Sequence, residues 1–91
     1  MKGRPLAGYS AIQRDILWTV VKSPGANGEQ LRRRLEDLRD DRVADSTART
    51  NLAELVANDL VEKSGPKWER SHEITDVGRE LLDADLDWQR E

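Results

Sequence analysis

Hydrophobic residues recur at helical spacing over residues 27–40 and 45–59, and a short stretch of strand-like composition follows them. Apolar side chains three and four residues apart lie on one face of a helix, so both segments are predicted to be helices with one buried face. Leu60–Lys63 and Ser71–Ile74 are predicted as two short strands around a turn at Gly65-Pro66-Lys67, because Gly and Pro are typical of turns. The pattern therefore predicts two helices followed by a β-hairpin.

Two further helices are predicted on either side of this segment. Ser10 and Gln13 form a capping box, in which the serine oxygen accepts a backbone N–H and the glutamine reaches back to the cap. One apolar stripe follows, made of Ile12, Ile16, Leu17, Val20 and Val21. Thr75 is expected to cap the last helix. The complete order predicts a mostly α fold with a small β-hairpin wing, the winged helix-turn-helix, with N- and C-terminal helices for dimerisation.

The domain limits and the other helix ends are also predicted from local signals. Residues 1–9 are rich in Gly and Pro and are predicted to form a flexible N-terminal arm, so the winged-helix domain with its C-terminal dimerisation helix spans residues 10–91. Asn27 is expected to cap the second helix, and Asp45 or Ser46 the third. The residues predicted to face the core from the two central helices and their connecting turn are Leu31, Leu35, Leu38, Val43, Leu52, Leu55 and Val56.

The last helix carries two apolar stripes, although a helix of a small domain needs only one. One stripe is expected to face the helix's own domain and the other a second copy of the chain. The first stripe consists of Val77, Leu81, Ala84 and Trp88, and the second of Leu82 and Leu86. Trp18 lies off the stripe of its own helix and also needs a second surface to cover it. The sequence therefore predicts a homodimer whose interface includes Trp18, Leu82, Leu86 and Trp88.

The composition limits the function classes. Hydrophobic residues make up 36% of the chain and charged residues another 36%, so the core is small and association with a second copy would help to stabilise it. There is no cysteine, which excludes disulfides and thiolate chemistry. No apolar run approaches the roughly 20 residues that span a bilayer, and the charged N-terminus lacks the apolar stretch of a signal peptide. A cytoplasmic location is the expectation.

The charge of the chain at first argues against nucleic acid as a partner. The net charge is −3 and the sequence pI is about 5.2, whereas DNA-binding domains are typically basic. The distribution changes this picture, because residues 1–34 hold seven Lys and Arg against two acidic residues. The abundance of acid, with eleven Arg and only four Lys, resembles the composition of proteins adapted to high salt.

The sequence offers little for catalysis. It has one His and no Cys, and it lacks a glycine-rich phosphate loop. His72 falls on the predicted return strand and is expected to be a surface residue of the wing, since no second His stands near it to complete a metal site. Asp83, Asp85 and Asp87 alternate along a helix and are expected to form a solvated face. We expect neither an enzyme nor a bound cofactor or metal.

The candidate DNA contacts lie on the third helix and the wing. Arg can bond guanine through two hydrogen bonds and Asn can bond adenine, while Ser and Thr serve phosphates or bases. The predicted contacts on the helix are Ser46, Thr47, Arg49, Thr50 and Asn51. Lys63, Lys67 and Arg70 surround the turn and are predicted to make a basic wing tip that contacts phosphates. Trp68 is either a core residue or a contact residue, and the run Arg32–Arg34 is expected to be a solvated helix face.

Several segments resemble the PadR-like winged-helix transcriptional regulators, particularly the small versions of salt-loving archaea and their viruses. The similar stretches cover roughly residues 9–86 and are Gln13-Arg14-Asp15-Ile16-Leu17, Gly28-Glu29-Gln30-Leu31, the run from Asn51 to Lys63, and Ile74-Thr75-Asp76-Val77-Gly78-Arg79-Glu80-Leu81-Leu82. One departure is that Arg49-Thr50-Asn51 stands where PadR-like proteins commonly have an aromatic-Pro pair. The resemblance implies a homodimeric, sequence-specific regulator of transcription, usually a repressor, that binds double-stranded DNA at an inverted-repeat operator.

Two alternatives remain open at this stage. The first is a winged-helix module that binds a basic protein partner, through Glu54 and Asp59, and never contacts DNA. The acidic total charge favours this alternative, whereas the basic N-terminal third and the wing tip oppose it. The second is a small-molecule sensor with an aromatic pocket, for which Trp18 and Trp88 are the candidate lining residues. The sequence identifies no effector.

Overall fold

The computed structural model describes residues 8–67 and 70–90, and in the last helix it describes side chains as far as residue 87. The elements in chain order are α1 (Ala11–Lys22), α2 (Gly28–Arg39), α3 (Asp45–Ala57), β1 (Val61–Ser64), β2 (Ser71–Ile74) and α4 (Asp76–Arg90). β1 and β2 pair antiparallel as a two-stranded sheet. The predicted winged helix-turn-helix with a β-hairpin wing is confirmed by these elements, and the role of the terminal helices in dimerisation stays a prediction. Residues 1–7, predicted as the arm, lie outside the described residues.

Side-chain caps fix the beginnings of α1, α2 and α4, as the sequence predicts. The Ser10 Oγ accepts from the Gln13 backbone N–H at 3.3 Å, and the Gln13 side chain accepts from the Ser10 N–H at 3.1 Å. Asn27 and Gln30 form the same reciprocal pair at α2, with distances of 2.8 and 2.9 Å. The Thr75 Oγ1 accepts the N–H three residues ahead at 3.0 Å. Each cap satisfies backbone groups that the helix itself leaves unpaired and contributes about 1 kcal/mol.

The start of α3 differs from the prediction. Its N-cap is Ala44, which has no polar side chain to accept a backbone N–H, so neither Asp45 nor Ser46 caps the helix. Asp45 is instead the first helical residue, and its carboxylate pairs with Arg49 one turn further on. An acid in the first turn still interacts favourably with the positive end of the helix dipole. The first turn of α3 therefore leaves backbone N–H groups without a cap side chain.

An isolated β-bridge between Ala26 and His72 ties the wing to the helices. The His72 N–H donates to the Ala26 carbonyl at 3.1 Å, and the Gly25 N–H donates to the His72 carbonyl at 3.0 Å. Glycine suits position 25 because φ there is +80°, in the left-handed region. On its other edge β2 pairs with β1, in a register that places Val61 opposite Ile74. The connection between α1 and α2 therefore holds the base of the wing in place.

The core lies where α1 crosses the other elements, since α1 packs against α2, α3, α4 and β2. The most completely buried apolar side chains come from the four helices and from the start of the wing. They are Leu17, Val20, Leu35, Leu55, Leu60, Val61 and Leu82. Val43 is buried as predicted. Leu38 is not: it lies in the last turn of α2 and is 48% exposed, beside a shallow concavity that Thr19 and Lys22 also line. Each buried leucine contributes roughly 1.5–3 kcal/mol by leaving water.

The two stripes of α4 have unequal environments. Leu82 is 2% exposed and belongs to the core of its own chain, whereas Val77 is 45% exposed. Leu82 therefore has almost no surface left for a second copy, contrary to the outward position expected for it. Leu86 is half-buried, and Trp18 is half-buried against the core. The side chain of Trp88 lies outside the described residues.

Candidate nucleic-acid interface

The exposed side of α3 carries most of the polar residues predicted to contact DNA. Ser46, Thr47, Arg49 and Thr50 are exposed, and Asn51 is half-buried. The Asn51 Nδ2 donates to the Thr47 carbonyl one turn earlier at 2.8 Å. An anion such as a phosphate is attracted to the N-terminus of a helix whose first N–H groups are not capped. At the beginning of α3 this attraction is opposed by the carboxylate of Asp45, the first residue of the helix.

Arg49 is the most exposed cation of this face, with 77% of its side chain accessible, and it forms an ion pair with Asp45. The pair joins residues four apart on one helix, where acid and base lie one above the other. Exposed pairs of this kind are worth little, commonly below about 1 kcal/mol. The guanidinium can therefore turn its remaining N–H groups to a base edge while it keeps its contact with the carboxylate.

A groove of about 440 Å³ runs between α2, α3 and the wing. Its floor includes the buried Leu31 and Leu35 and the inward side of Leu52. Its charged lining residues are Glu29, Arg32, Asp45, Arg49, Lys63, Lys67 and Arg70. Five of these seven are basic, in a chain whose net charge is −3. Positive charge is therefore concentrated in the groove beside α3.

The groove brings together four of the eight predicted DNA contacts. Arg49 comes from α3, and Lys63, Lys67 and Arg70 come from the wing. Lys63 and Lys67 are exposed, while Arg70 is half-buried. The other four lie on α3 outside the groove lining and are Ser46, Thr47, Thr50 and Asn51. Trp68, between the two tip cations, lies outside the described residues.

Arg32 has a structural role that the sequence prediction missed. Only 21% of its side chain is exposed, and it bonds Glu29 at 2.5 Å and Glu36 at 3.1 Å. It also donates to the carbonyl of Val43, in the turn before α3, at 3.4 Å. The hydrogen bond with Glu29 raises the pKa of Arg32 against the opposing effect of desolvation. The sequence did contain a signal for this role, because Glu29 and Glu36 lie three and four residues from Arg32, a spacing at which side chains meet on a helix.

This network fixes α3 relative to α2. The Glu36 Oε2 accepts the Val43 N–H at 2.8 Å, so Arg32 and Glu36 together hold both backbone polar groups of Val43. The hydrogen bond from Arg32 lowers the pKa of Glu29 and keeps that carboxylate ionised. The prediction of a solvated face fits Arg33 and Arg34, which are exposed, but it is wrong for Arg32.

His72 is buried, contrary to the expectation of a surface position on the wing. It is 5% exposed, and its Nδ1 lies 3.1 Å from the carbonyl oxygen of Ala26. Successive side chains of a strand alternate between faces, so His72 points towards the helices while Glu73 is exposed. The β-bridge of His72 with Ala26 pairs the backbone at the same position. His72 thus supports the base of the wing next to the groove.

Asp83, Asp85 and Asp87 of α4 have different environments. Asp83 and Asp87 are exposed, as expected of a solvated face. Asp85 is different, because it is fully buried and engaged in a polar interaction. Among the described residues, no three His, Cys, Asp or Glu side chains are grouped to hold a metal ion. In the same part of the chain, no helix is long and apolar enough to cross a membrane.

Comparisons with known proteins place this geometry in a family. No protein-family model matches the sequence, and a search of curated proteins gives no match. Among solved structures, that of H. salinarum RosR is 30% identical over 92% of this chain and 76% of RosR, with a TM-score of 0.83. A structure of the complex hsRosR-S1 is 31% identical over 90% of this chain and 73% of that one, with a TM-score of 0.82.

More distant structures share the fold. The multiple antibiotic-resistance repressor MarR of Listeria monocytogenes is 20% identical, with a TM-score of 0.74 over 87% of this chain. This chain spans 51% of that repressor, about half its length. At this identity the similarity concerns the fold alone. The identity with RosR, maintained over three quarters of that protein, carries the assignment: the chain belongs to the family of RosR, a winged-helix transcription regulator.

Proposed function

We propose that this protein is a sequence-specific, double-stranded DNA-binding regulator of transcription that acts as a homodimeric repressor on an inverted repeat. The observation that carries the proposal is the groove between α3 and the wing, where five of seven charged lining residues are basic. The chain as a whole is acidic, with a net charge of −3, so the excess of cations is a property of the groove and not of the composition. We further propose that the protein is PadR-like, on the sequence resemblance of residues 9–86, and that it acts at high salt, on its acidic, arginine-rich composition.

In the proposed complex, α3 and the wing contact different parts of the DNA. The exposed face of α3 enters the major groove, and the wing cations follow the phosphate backbone. Arg32 and Glu36 hold the turn before α3, so the recognition helix is presented on a rigid base. Nothing in this arrangement requires catalysis, and the protein is proposed to act by occupancy of its operator.

The main alternative is a winged-helix module that binds a basic protein through Glu54 and Asp59. The carboxylate of Glu54 is already engaged, because it accepts a hydrogen bond from the Gln13 Nε2 at 2.5 Å. A titration against pooled random duplexes at several salt concentrations separates the two functions. The proposal expects binding that weakens as salt rises and enriches one sequence. A protein that binds no duplex at low salt would instead be the interaction module.

Replacing Arg49 by alanine is expected to relax base preference. A guanidinium bonded to a guanine edge discriminates against other bases by about 1–3 kcal/mol, so the preference at one position should fall about 5- to 150-fold. The measurement is the sequence logo selected from random duplexes by each variant. Arg33→Ala is the matched control, because Arg33 on α2 is 73% exposed and also pairs with a carboxylate. An unchanged logo in Arg49→Ala would remove Arg49 from base recognition.

We propose that dimerisation uses the outer face of α4 around Val77, together with Trp18 and Trp88. Val77 is 45% exposed, and a second copy burying such apolar surface gains about 25 cal/mol per Å². We expect light scattering to give a dimer mass at micromolar concentration and a monomer mass for Val77→Glu. Arg79→Glu, on the same helix, is a control for charge. A wild-type monomer would contradict the proposal, and so would an asymmetric footprint without two half-sites.

A further inference from the structure

An acid lines the basic groove. Asp45 lines it together with Arg49, and the two form an ion pair in the first turns of α3. Arg32 lines the same groove, and the charge of Asp45 helps to raise the pKa of Arg32 after the larger effects of Glu29 and Glu36. Asp45 is thus a carboxylate among cations, with 60% of its side chain exposed.

The position of this carboxylate is unfavourable for simple DNA affinity. A negative charge beside the phosphate backbone opposes the counterion-driven binding that supplies non-specific affinity. Stability gives only a small reason for its presence, because an exposed pair four residues apart and an acid in the first turn of a helix each contribute about 1 kcal/mol or less. Helix capping does not explain it either, because Asp45 is the first helical residue and no side chain caps α3.

The effect of Asp45 on Arg49 is a more specific reason. The Arg49 Nη2 donates to the Asp45 carboxylate, and the planar guanidinium has five N–H groups in a fixed arrangement. The remaining N–H groups can still meet the O6 and N7 atoms of a guanine. A guanidinium already held in place loses less rotational freedom on binding. Partial neutralisation by the carboxylate also weakens the competing contact of Arg49 with a phosphate.

We propose that Asp45 is a positioning residue for base recognition, which holds Arg49 for a guanine edge and lowers its affinity for phosphate. This inference rests on the proposed function, because it assumes that α3 reads a major groove. It adds a direction for the effect: Asp45 raises sequence discrimination and lowers total affinity. Removal of the charge should therefore move the two quantities in opposite senses.

The test compares Asp45→Asn with the wild type on two duplexes, the selected site and the same site with the guanine read by Arg49 replaced. Asp45→Asn is expected to bind both duplexes more tightly, while the ratio of the two affinities falls about fivefold. The ratio does not depend on the fraction of protein that is folded. Asp45→Glu should keep the ratio, since a glutamate four residues before an arginine on a helix also forms the pair.

Two controls separate positioning from charge alone. Asp37→Asn removes the same charge from a different concavity, between α1 and α2, and should leave the ratio unchanged. In an Arg49→Ala background, Asp45→Asn should no longer change the ratio, because the positioned side chain is absent. A ratio that stays constant in Asp45→Asn while Arg49→Ala lowers it overturns the inference and leaves the proposed function intact.

Two other outcomes concern Arg49 and the function itself. If Arg49→Ala leaves the ratio unchanged, Arg49 does not read a base and the role proposed for Asp45 falls with it. If the wild type binds no duplex even at low salt, the proposed function fails before Asp45 is tested. These outcomes are distinguishable because the wild-type titration precedes the comparison of variants.

Discussion

Gly78→Ala is expected to destabilise the protein by about 3 kcal/mol, near the upper end of the range for overpacking. A Cβ at this position would lie 2.3 Å from the carbonyl oxygen of Leu60 and 2.9 Å from the Cγ1 of Ile74. The first contact is with backbone, which cannot move aside as a flexible side chain can. α4 would therefore have to shift away from the start of β1. Leu82 on the same helix would then lose part of its burial in the core.

Thermal unfolding followed by circular dichroism measures this effect. For a domain of this size, about 1 kcal/mol corresponds to roughly 4–8 °C, so the midpoint should fall by about 12–24 °C. Gly28→Ala is the matched control, since Gly28 is also in the first turn of a helix but nothing lies within 4 Å of an added Cβ there. An equal melting temperature for Gly78→Ala and the wild type would contradict the close approach of α4 to Leu60.

The double variant Lys67→Ala, Arg70→Ala is expected to lose affinity for all duplexes to a similar extent. Lys67 is exposed at the wing tip, and Arg70 lines the groove that leads from the tip to α3. Each lost phosphate contact lowers the slope of log affinity against log salt by about 1, so the slope should fall by about 2. At about 50 mM salt this corresponds to roughly a hundredfold loss of affinity.

The sequence logo should not change, because phosphate contacts position a protein without carrying sequence information directly. The control is Lys22→Ala, Arg33→Ala, which removes the same charge from exposed positions on α1 and α2. Equal salt slopes for the wild type and the wing variant would place the wing away from the phosphates. A changed logo would instead assign base contacts to the wing.

Much of the fold follows from local signals in the sequence. The capping boxes at Ser10 and Asn27 and the cap at Thr75 lie where the sequence predicts them, because each depends on residues only three positions apart. β2 has the predicted limits, whereas β1 spans Val61–Ser64, one residue later than predicted, and ends next to the turn at Gly65. α3 is the exception, because Asp45 and Ser46 both suit a cap and the chain uses neither.

The candidate site was predicted in its parts but not in its arrangement. Arg49 and the wing cations were identified from residue type and position, and the fold brings them into one groove. The prediction of a solvated face was wrong for Arg32, because its contact with Val43 joins residues eleven positions apart and cannot be read from local spacing. The pairing of Asp45 with Arg49 was available from their spacing, but its importance depends on the groove that surrounds it.

The sequence by itself determined the elements, their order and most of their ends, because those depend on contacts within one or two helical turns. The tertiary structure alone decided which side chains became buried. His72 turned inward because Ala26, 46 residues away, provides a β-bridge to its backbone and a carbonyl for its ring. Leu82 faces its own core and Val77 remains exposed, although both belong to apolar stripes of one helix. Periodicity identifies faces, but only the neighbouring elements determine which face loses its contact with water.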